Sequence, residues 1–406
     1  MLKKKNFITI FLFISILIRV LSIHWFGDNQ IDMEWGVLLH NLNFFGTFGF
    51  NVFDGTDVMN KYATAGEEVF PSIFMPPLYL LFIFLISLII EATEIVVLVT
   101  LYIQLLISIL SAYFFYRLLI KFFSKRLSLI GVFIFLFFPL NIYAVSQISS
   151  ITLQVFLLIL FLYFLFQFIE GKNYKDLIKF SIISSLLILL RGEFFLIYFL
   201  TLFFILIKKI KFRFVILSTL TTLLIVSPYL IRNYKIFNII TITKSVGYNL
   251  WKGNNIYSKV EGNEMIYDTS MKKKIKNIKP TVKYDLIIDK IFKEEAIKNI
   301  FSDPKMYLFL YFKKFLSFLF FNIKSTYPNY YNFFHIIPKI CISITTLLGI
   351  FFLNFKKNNL NYFSVYYLFN LSFFSLFFIL PRYQLSLLPV QIILSCYLVA
   401  RLKPNI

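Results

Sequence analysis

The sequence predicts an all-α protein that crosses a membrane many times, and three observations predict it. Apolar residues make up 59% of the 406, with 54 Phe against only 13 Gly. Apolar runs of about 15–22 residues, the length that spans a bilayer, recur along nearly the whole chain. The basic residues, which bring the formal net charge to +21, lie between those runs rather than in one block. On a soluble protein that charge would point to nucleic acid. Punctuating hydrophobic runs, it points to orientation in the bilayer and to membrane lipid headgroups, and no nucleic-acid partner is expected. Cys341 and Cys396 both sit inside apolar runs, so no disulfide framework or cysteine metal cluster is expected.

Taken in order, Lys3-Lys4-Lys5 place the start of the chain in the cytoplasm. Span one covers 7–24 and, with no small-residue cleavage site after it, reads as uncleaved. Segment 25–72 carries Asp28, Asp32, Glu34, Asp54, Asp57, Glu67 and Glu68 against Lys61 alone, which assigns it to the outside. Gly46, Gly49 and Gly55 mark turns, expected between short helices. Run 73–90, opened by Pro76-Pro77, is expected to stay in the outer leaflet or dip and return. Run 95–116 ends at Arg117, Lys121, Lys125 and Arg126 inside. Crossings at 128–147, 151–169, 177–190, 194–207 and 214–231 then alternate. Residues 232–303 form the sizeable polar segment, placed outside. Run 305–321, broken by Lys313-Lys314, reads as an interfacial helix. Spans at 334–353, 362–380 and 385–400 finish a set of about 10–12 hydrophobic helices. Three parts result: a module over 1–231, an extracytoplasmic segment with its interfacial helix over 232–333, and closing helices over 334–406.

The chemistry concentrates after span one, in Gly27-Asp28-Asn29-Gln30-Ile31-Asp32-Met33-Glu34-Trp35. Carboxylates at a membrane boundary are costly to desolvate and so need a use. Asp32 and Glu34 diverge by about 200° on a helix but share a face in an extended loop. One carboxylate suffices for a general base, whereas a metal would need both and further oxygen ligands. The plainer alternative for Asp32 is a helix N-cap before Trp35–Leu42. Arg191, Arg232 and Arg382 each sit at the end of an apolar run on the outside. Snorkelling explains any one of them. Three on the side that holds Asp32 suit a phosphate, which guanidinium binds in bidentate fashion. No GxxxxGK[ST], HExxH or GxSxG is present, and His24, His40 and His335 are dispersed, so neither metal nor cofactor is expected. Charged residues are almost missing mid-span, which argues against a proton-coupled transporter or ion channel.

Asp32-Met33-Glu34-Trp35, with Leu38-Leu39-His40-Asn41-Leu42 and Gly46, resembles the first outer loop of the GT-C membrane glycosyltransferases. The similarity is to the dolichyl-phosphate-mannose–protein mannosyltransferase and aminoarabinose transferase type. Met75-Pro76-Pro77-Leu78-Tyr79 resembles their Pro-Pro-x-Tyr segment, with Met75 where a base is usual. Leu190-Arg191-Gly192-Glu193 is similar to an outer turn carrying an arginine. Ser227-Pro228-Tyr229-Leu230-Ile231-Arg232-Asn233-Tyr234 and Gly247-Tyr248-Asn249-Leu250-Trp251-Lys252-Gly253-Asn254 resemble the Pro-Trp-x-x-Arg-Asn-Tyr and Gly-x-Asn-Leu-x-x-Gly-Asn signatures of bacterial members. Pro381-Arg382-Tyr383 resembles a late Arg-Tyr.

The resemblance implies a GT-C fold in a cell inner (plasma) membrane with the active site on the outer face. It implies a polyprenyl-phosphate-linked sugar as donor and inverting transfer to a glycan, lipid or protein acceptor. Asp32 is then the general base, with Glu34 orienting the acceptor or holding the loop. Arg191, Arg232 and Arg382 face the donor phosphate, and Tyr79, Asn233 and Tyr383 contact substrate. The Phe-rich spans line a groove for the prenyl tail. Two other readings stay open: a flippase for lipid-linked glycans, which predicts a polar path through the mid-membrane, and an O-antigen polymerase or ligase, which uses a large outer loop with arginines.

Overall fold

A computed structural model gives the fold. It describes residues 2–31, 33–51, 62–266, 269–279, 281–322, 324–327, 332–353 and 359–403. Asp32, Asp54, Gly55 and Asp57 lie outside the described residues.

The expected helices form. The first span is α1 (Leu2–Phe26), followed by α2 (Met33–Phe45). Between α2 and the next span the chain makes an antiparallel hairpin where short helices were expected. Strand β1 (Gly49–Asn51) pairs with β2 (Val69–Pro71), Phe50 opposite Phe70. Gly49 tolerates no side chain there, because a Cβ would lie 1.9 Å from the Phe70 carbonyl oxygen. Helix α3 (Pro77–Ser87) starts on its prolines, where a missing N–H costs nothing. Its 11 residues reach about 17 Å, short of the roughly 30 Å hydrocarbon core.

Helix α4 (Thr93–Leu119) is a long span, and α5 (Lys125–Phe137) with α6 (Pro139–Tyr143) is a broken one, bent by 55°. The break follows from Pro139, which has no N–H to give the Phe135 carbonyl. The Asn141 side-chain amide donates to that oxygen instead, at 2.9 Å. Arg19 of α1 donates to the next freed carbonyl, Leu136, at 2.9 Å. Its other nitrogens donate to Ser15 Oγ (2.6 Å) and Ser108 Oγ (3.2 Å). Arg19 is fully buried mid-span. Each of its nitrogens has an acceptor, so it serves the helix break and offers no charged path across the membrane.

The bundle continues through α7 (Ile151–Gly171), α8 (Tyr174–Leu190), α9 (Phe194–Ile207) and α10 (Phe212–Phe237). With lipid outside, apolar burial does little to hold helices together, and small polar residues do the joining. Ser181 of α8, Tyr198 of α9 and Ser218 of α10 form one such knot, each link 2.8 Å. Three more polar helices, α11 (Val246–Asn254), α12 (Thr269–Lys276) and α13 (Tyr284–Ser302), cap one end of the bundle. They carry a small core of their own around Trp251, Met271, Ile275, Phe292 and Ala296. Then come α14 (Pro304–Leu319), α15 (Phe333–Phe351), α16 (Asn361–Phe374), a 3-10 turn over Pro381–Leu387, and α17 (Leu388–Leu402). Among the described residues six helices are long and apolar enough to cross a membrane, or seven with the bent pair taken as one. The protein is a multi-pass membrane protein.

Candidate functional site

The described residues expected at the site divide by their partners into two sets. The first set is saturated by protein partners.

Arg232, at the end of α10, donates through Nη1 to the Ser72 carbonyl (3.1 Å) and Asn233 Oδ1 (2.8 Å). Through Nη2 it donates to the Phe48 carbonyl (3.1 Å). Its guanidinium also lies over the rings of Phe48, Tyr229 and Phe237. Asn233 is fully buried and donates to the Thr241 carbonyl at 2.7 Å. Tyr79 is likewise buried, its hydroxyl donating to Gln104 Oε1 at 3.0 Å and its ring against Trp35. These contacts tie Arg232 to the hairpin, Asn233 to the 238–244 turn and Tyr79 to α2 and α4.

Two carboxylates of α13, which the sequence did not single out, complete this set. Asp285 accepts from Ser72 Oγ (2.5 Å) and the Ile73 amide (3.2 Å). Burial pushes its carboxyl above the ordinary value, against the pull of those donors and of Arg232. One turn on, Asp289 accepts from the Gly247 (2.6 Å) and Tyr248 (3.1 Å) amides at the start of α11, where free N–H groups and the helix dipole favour an anion. The spacing of four along α13 puts both on one face, so one helix latches the hairpin and α11 together. Asp28 does similar work at the other edge, its Oδ2 accepting from the Ile148 amide at 2.6 Å.

The second set has charge to spare. Glu34, in the first turn of α2, has no hydrogen-bond or ion-pair partner among the described residues. Arg382 in the 3-10 turn has none either. Lys252 of α11, ion-paired to Glu264, feels the charge of both. Burial and the neighbouring Arg382 lower its ammonium to about 8, while Glu34 pulls the other way. Glu34 also adds to the burial that pushes the Tyr248 phenol up to about 12. Arg382 acts in turn on Tyr327, holding back the rise that burial imposes on that phenol. Next to Arg382, the Tyr383 ring carries the Arg191 guanidinium at 5.7 Å. Arg191 ends α8, and its one ion pair, to Glu193, is loose at 4.0 Å, with its buried Nε unpaired. Glu34, Lys252, Arg382, Tyr383 and Arg191 thus come from four separate regions of the chain to one neighbourhood. Among the described residues no three His, Cys, Asp or Glu side chains converge as a metal-ligand set.

Elsewhere α1, α6 and α15 form a partly open cavity of about 400 Å³, lined by Leu21, Trp25, Phe26, Ile142, Tyr143 and His335 among others. It is mostly apolar, and Trp25 and Phe26 at its edge are strongly exposed.

No family model matches the sequence, and no curated protein matches it. The fold does match solved structures. The apo Archaeoglobus fulgidus oligosaccharyltransferase superposes with a TM-score of 0.54 at 12% identity, over 97% of this chain and 50% of that one. The same archaeal oligosaccharyltransferase, AglB, in complex with an inhibitory peptide and a dolichol-phosphate, gives 0.50 at 12%, over 99% and 51%. ArnT from Cupriavidus metallidurans in the apo state gives 0.43 at 10%, over 98% and 77%, too low to carry weight. The chain spans about half the length of the archaeal protein it matches. Identities this low speak for architecture alone: the chain shares the fold of the archaeal oligosaccharyltransferase.

Proposed function

We propose that this chain moves a sugar from a polyprenyl-phosphate donor to an acceptor hydroxyl, on the outer face of the membrane and with inversion. The observation that carries the reading is the gathering of unpartnered Glu34 and Arg382 with half-committed Arg191 at one end of a GT-C bundle. Charged side chains left without protein partners in a partly buried place are suited to a charged ligand. An AglB structure of the same fold holds a dolichol-phosphate, which supports a lipid phosphate here.

In the mechanism the acceptor oxygen bonds to the anomeric carbon from the face opposite the phosphate. The bond between that carbon and the phosphate oxygen breaks, and polyprenyl phosphate leaves with the electron pair. Asp32 takes the acceptor proton as general base, and Glu34, two residues on, orients the acceptor. Arg191 and Arg382 offset the charge that grows on the leaving phosphate, with Tyr383 holding Arg191 in place. Arg232, Asn233 and Tyr79 act a layer behind, as positioning residues. The apolar cavity between α1, α6 and α15 suits the first isoprene units of the donor tail, within the size range of ligand pockets.

The test uses the purified full chain with polyprenyl-phosphate sugars and, separately, polyprenyl-diphosphate glycans. Transfer from the monophosphate donors is expected, and Asp32→Asn should lower it by about 10²–10⁴-fold without loss of folding or membrane insertion. A wild-type rate from that variant removes Asp32 from the chemistry. Transfer from diphosphate glycans alone moves the protein to the polymerase or ligase class, and lipid translocation without transfer moves it to the flippases.

A further inference from the structure

We propose that Lys252 is a ligand of the donor phosphate, and that Glu264 competes with that phosphate for its ammonium. The inference rests on the reading of the Glu34–Arg382 neighbourhood as a donor-phosphate site.

The backbone around Lys252 is clamped from every side. Trp251 packs on Phe292 at 4.7 Å between ring centres. A side chain at Gly253 would meet the Phe377 carbonyl oxygen at 2.1 Å. The fully buried Lys314 donates to the Gly253 carbonyl (2.7 Å) and Asn254 Oδ1 (3.0 Å). The Lys252 carbonyl accepts from the Asn263 amide (2.8 Å) and Ser258 Oγ (2.9 Å). Loop 255–266 wraps the lysine stem as well. Gly262, at φ +83, has its absent Cβ position 2.9 Å from Lys252 Cγ, so only glycine lets the loop close there.

The result is a lysine whose amine is aimed. Its stem is covered, its ammonium lies 4.7 Å from the Phe378 ring centre, and Arg382 and Glu34 both act on it. The ion pair it makes, with Glu264, is lopsided: the lysine side chain is 13% exposed and the glutamate 59%. The cation is already desolvated and fixed, whereas the carboxylate sits at the surface of an irregular loop and gives up little on returning to water. A phosphate offers more charge and more acceptor oxygens than one carboxylate. It would also relieve the repulsion between Lys252 and Arg382. Exchange of Glu264 for phosphate is therefore downhill for every charge in the neighbourhood except Glu34, which stays beside the incoming anion.

The experiment measures binding of a polyprenyl monophosphate to the detergent-purified full chain as wild type, Lys252→Met, Lys252→Arg, Glu264→Gln and the Met/Gln double variant. Lys252→Met should weaken binding about tenfold, the scale of one charge-assisted contact. Glu264→Gln should tighten it, roughly two- to fivefold, the scale of an exposed ion pair. The double variant should match Lys252→Met, because Glu264 acts only through the amine. Wild-type affinity should fall as pH rises through about 8, where the ammonium is lost, and Lys252→Arg should keep its affinity there. A merely structural lysine would show no such limb and no gain from Glu264→Gln. Unchanged affinity in Lys252→Met, or weaker binding in Glu264→Gln, overturns the assignment of these two residues alone. A wild-type chain that binds no polyprenyl phosphate overturns it together with the reading of the site.

Discussion

Arg232 and Arg382 both sit at the capped end, and both were singled out for the same reason, an arginine at the end of an apolar run. The structure gives them different partners. Arg232 spends both terminal nitrogens on protein oxygens, the carbonyls of Phe48 and Ser72 and the amide of Asn233, while Asp285 of α13 holds the other side of Ser72. Arg382 spends none among the described residues and stands with Lys252 and Glu34. The lesson is that an arginine's role is read from what its nitrogens already hold. A cation satisfied by backbone carbonyls is a fastener, and one left unpaired in a partly buried place is available to a ligand.

Three variants break or sharpen this contrast. The largest effect is expected from Arg382→Gln. Under the proposed function Arg382 faces the leaving phosphate, and its loss should lower transfer by about 10²-fold, with the thermal midpoint in detergent unchanged. A lower midpoint with normal transfer would exchange the roles of the two arginines. Arg232→Gln comes next and should do the reverse. Stranding the Ser72 and Phe48 carbonyls should cost about 2 kcal/mol of stability. Transfer per folded molecule should fall much less than in Arg382→Gln.

The smallest effect belongs to Asp285→Asn, which keeps an acceptor for Ser72 and Ile73 but removes a buried charge. Because the folded carboxyl titrates above its unfolded value, the folded state binds the proton more readily. Wild-type stability relative to Asp285→Asn should therefore be greatest below the unfolded value of 3.8. It should decline as pH rises through the folded value and stay flat beyond it. Midpoints of the two proteins measured from pH 4 to pH 7 test the sign. A gap that moves in wild type's favour as pH rises would show that Ser72, Ile73 and Arg232 outweigh burial.

Much of this architecture was legible in the chain itself. A bilayer fixes how long an apolar run must be, so the runs mark the spans locally: 194–207 as read coincides with α9, and 305–321 falls within two residues of α14. The proline-led start of α3 and the break expected near 73–90 are equally local. The arginine turns at 191 and 382 stood out because charge is rare beside so much hydrocarbon. Three features were not legible. The acceptor for Arg19, a charge within the first span, comes from the Pro139 break more than a hundred residues away. The β1–β2 pairing joins segments on either side of a long insertion. Asp285, Asp289 and Glu264 lie in a polar segment with no periodic signal strong enough to set one carboxylate apart from another.

The amino-acid order alone determined where the chain is greasy, where it is charged and which motifs it shares with a known fold. That is because water and lipid act on each segment independently of the others. Only the packed molecule decided which of those charges are consumed in holding it together and which remain without a protein partner among the described residues. A hydrogen bond between Arg232 and Ser72 depends on a distance in space, and no property of either residue's own neighbourhood in sequence encodes it.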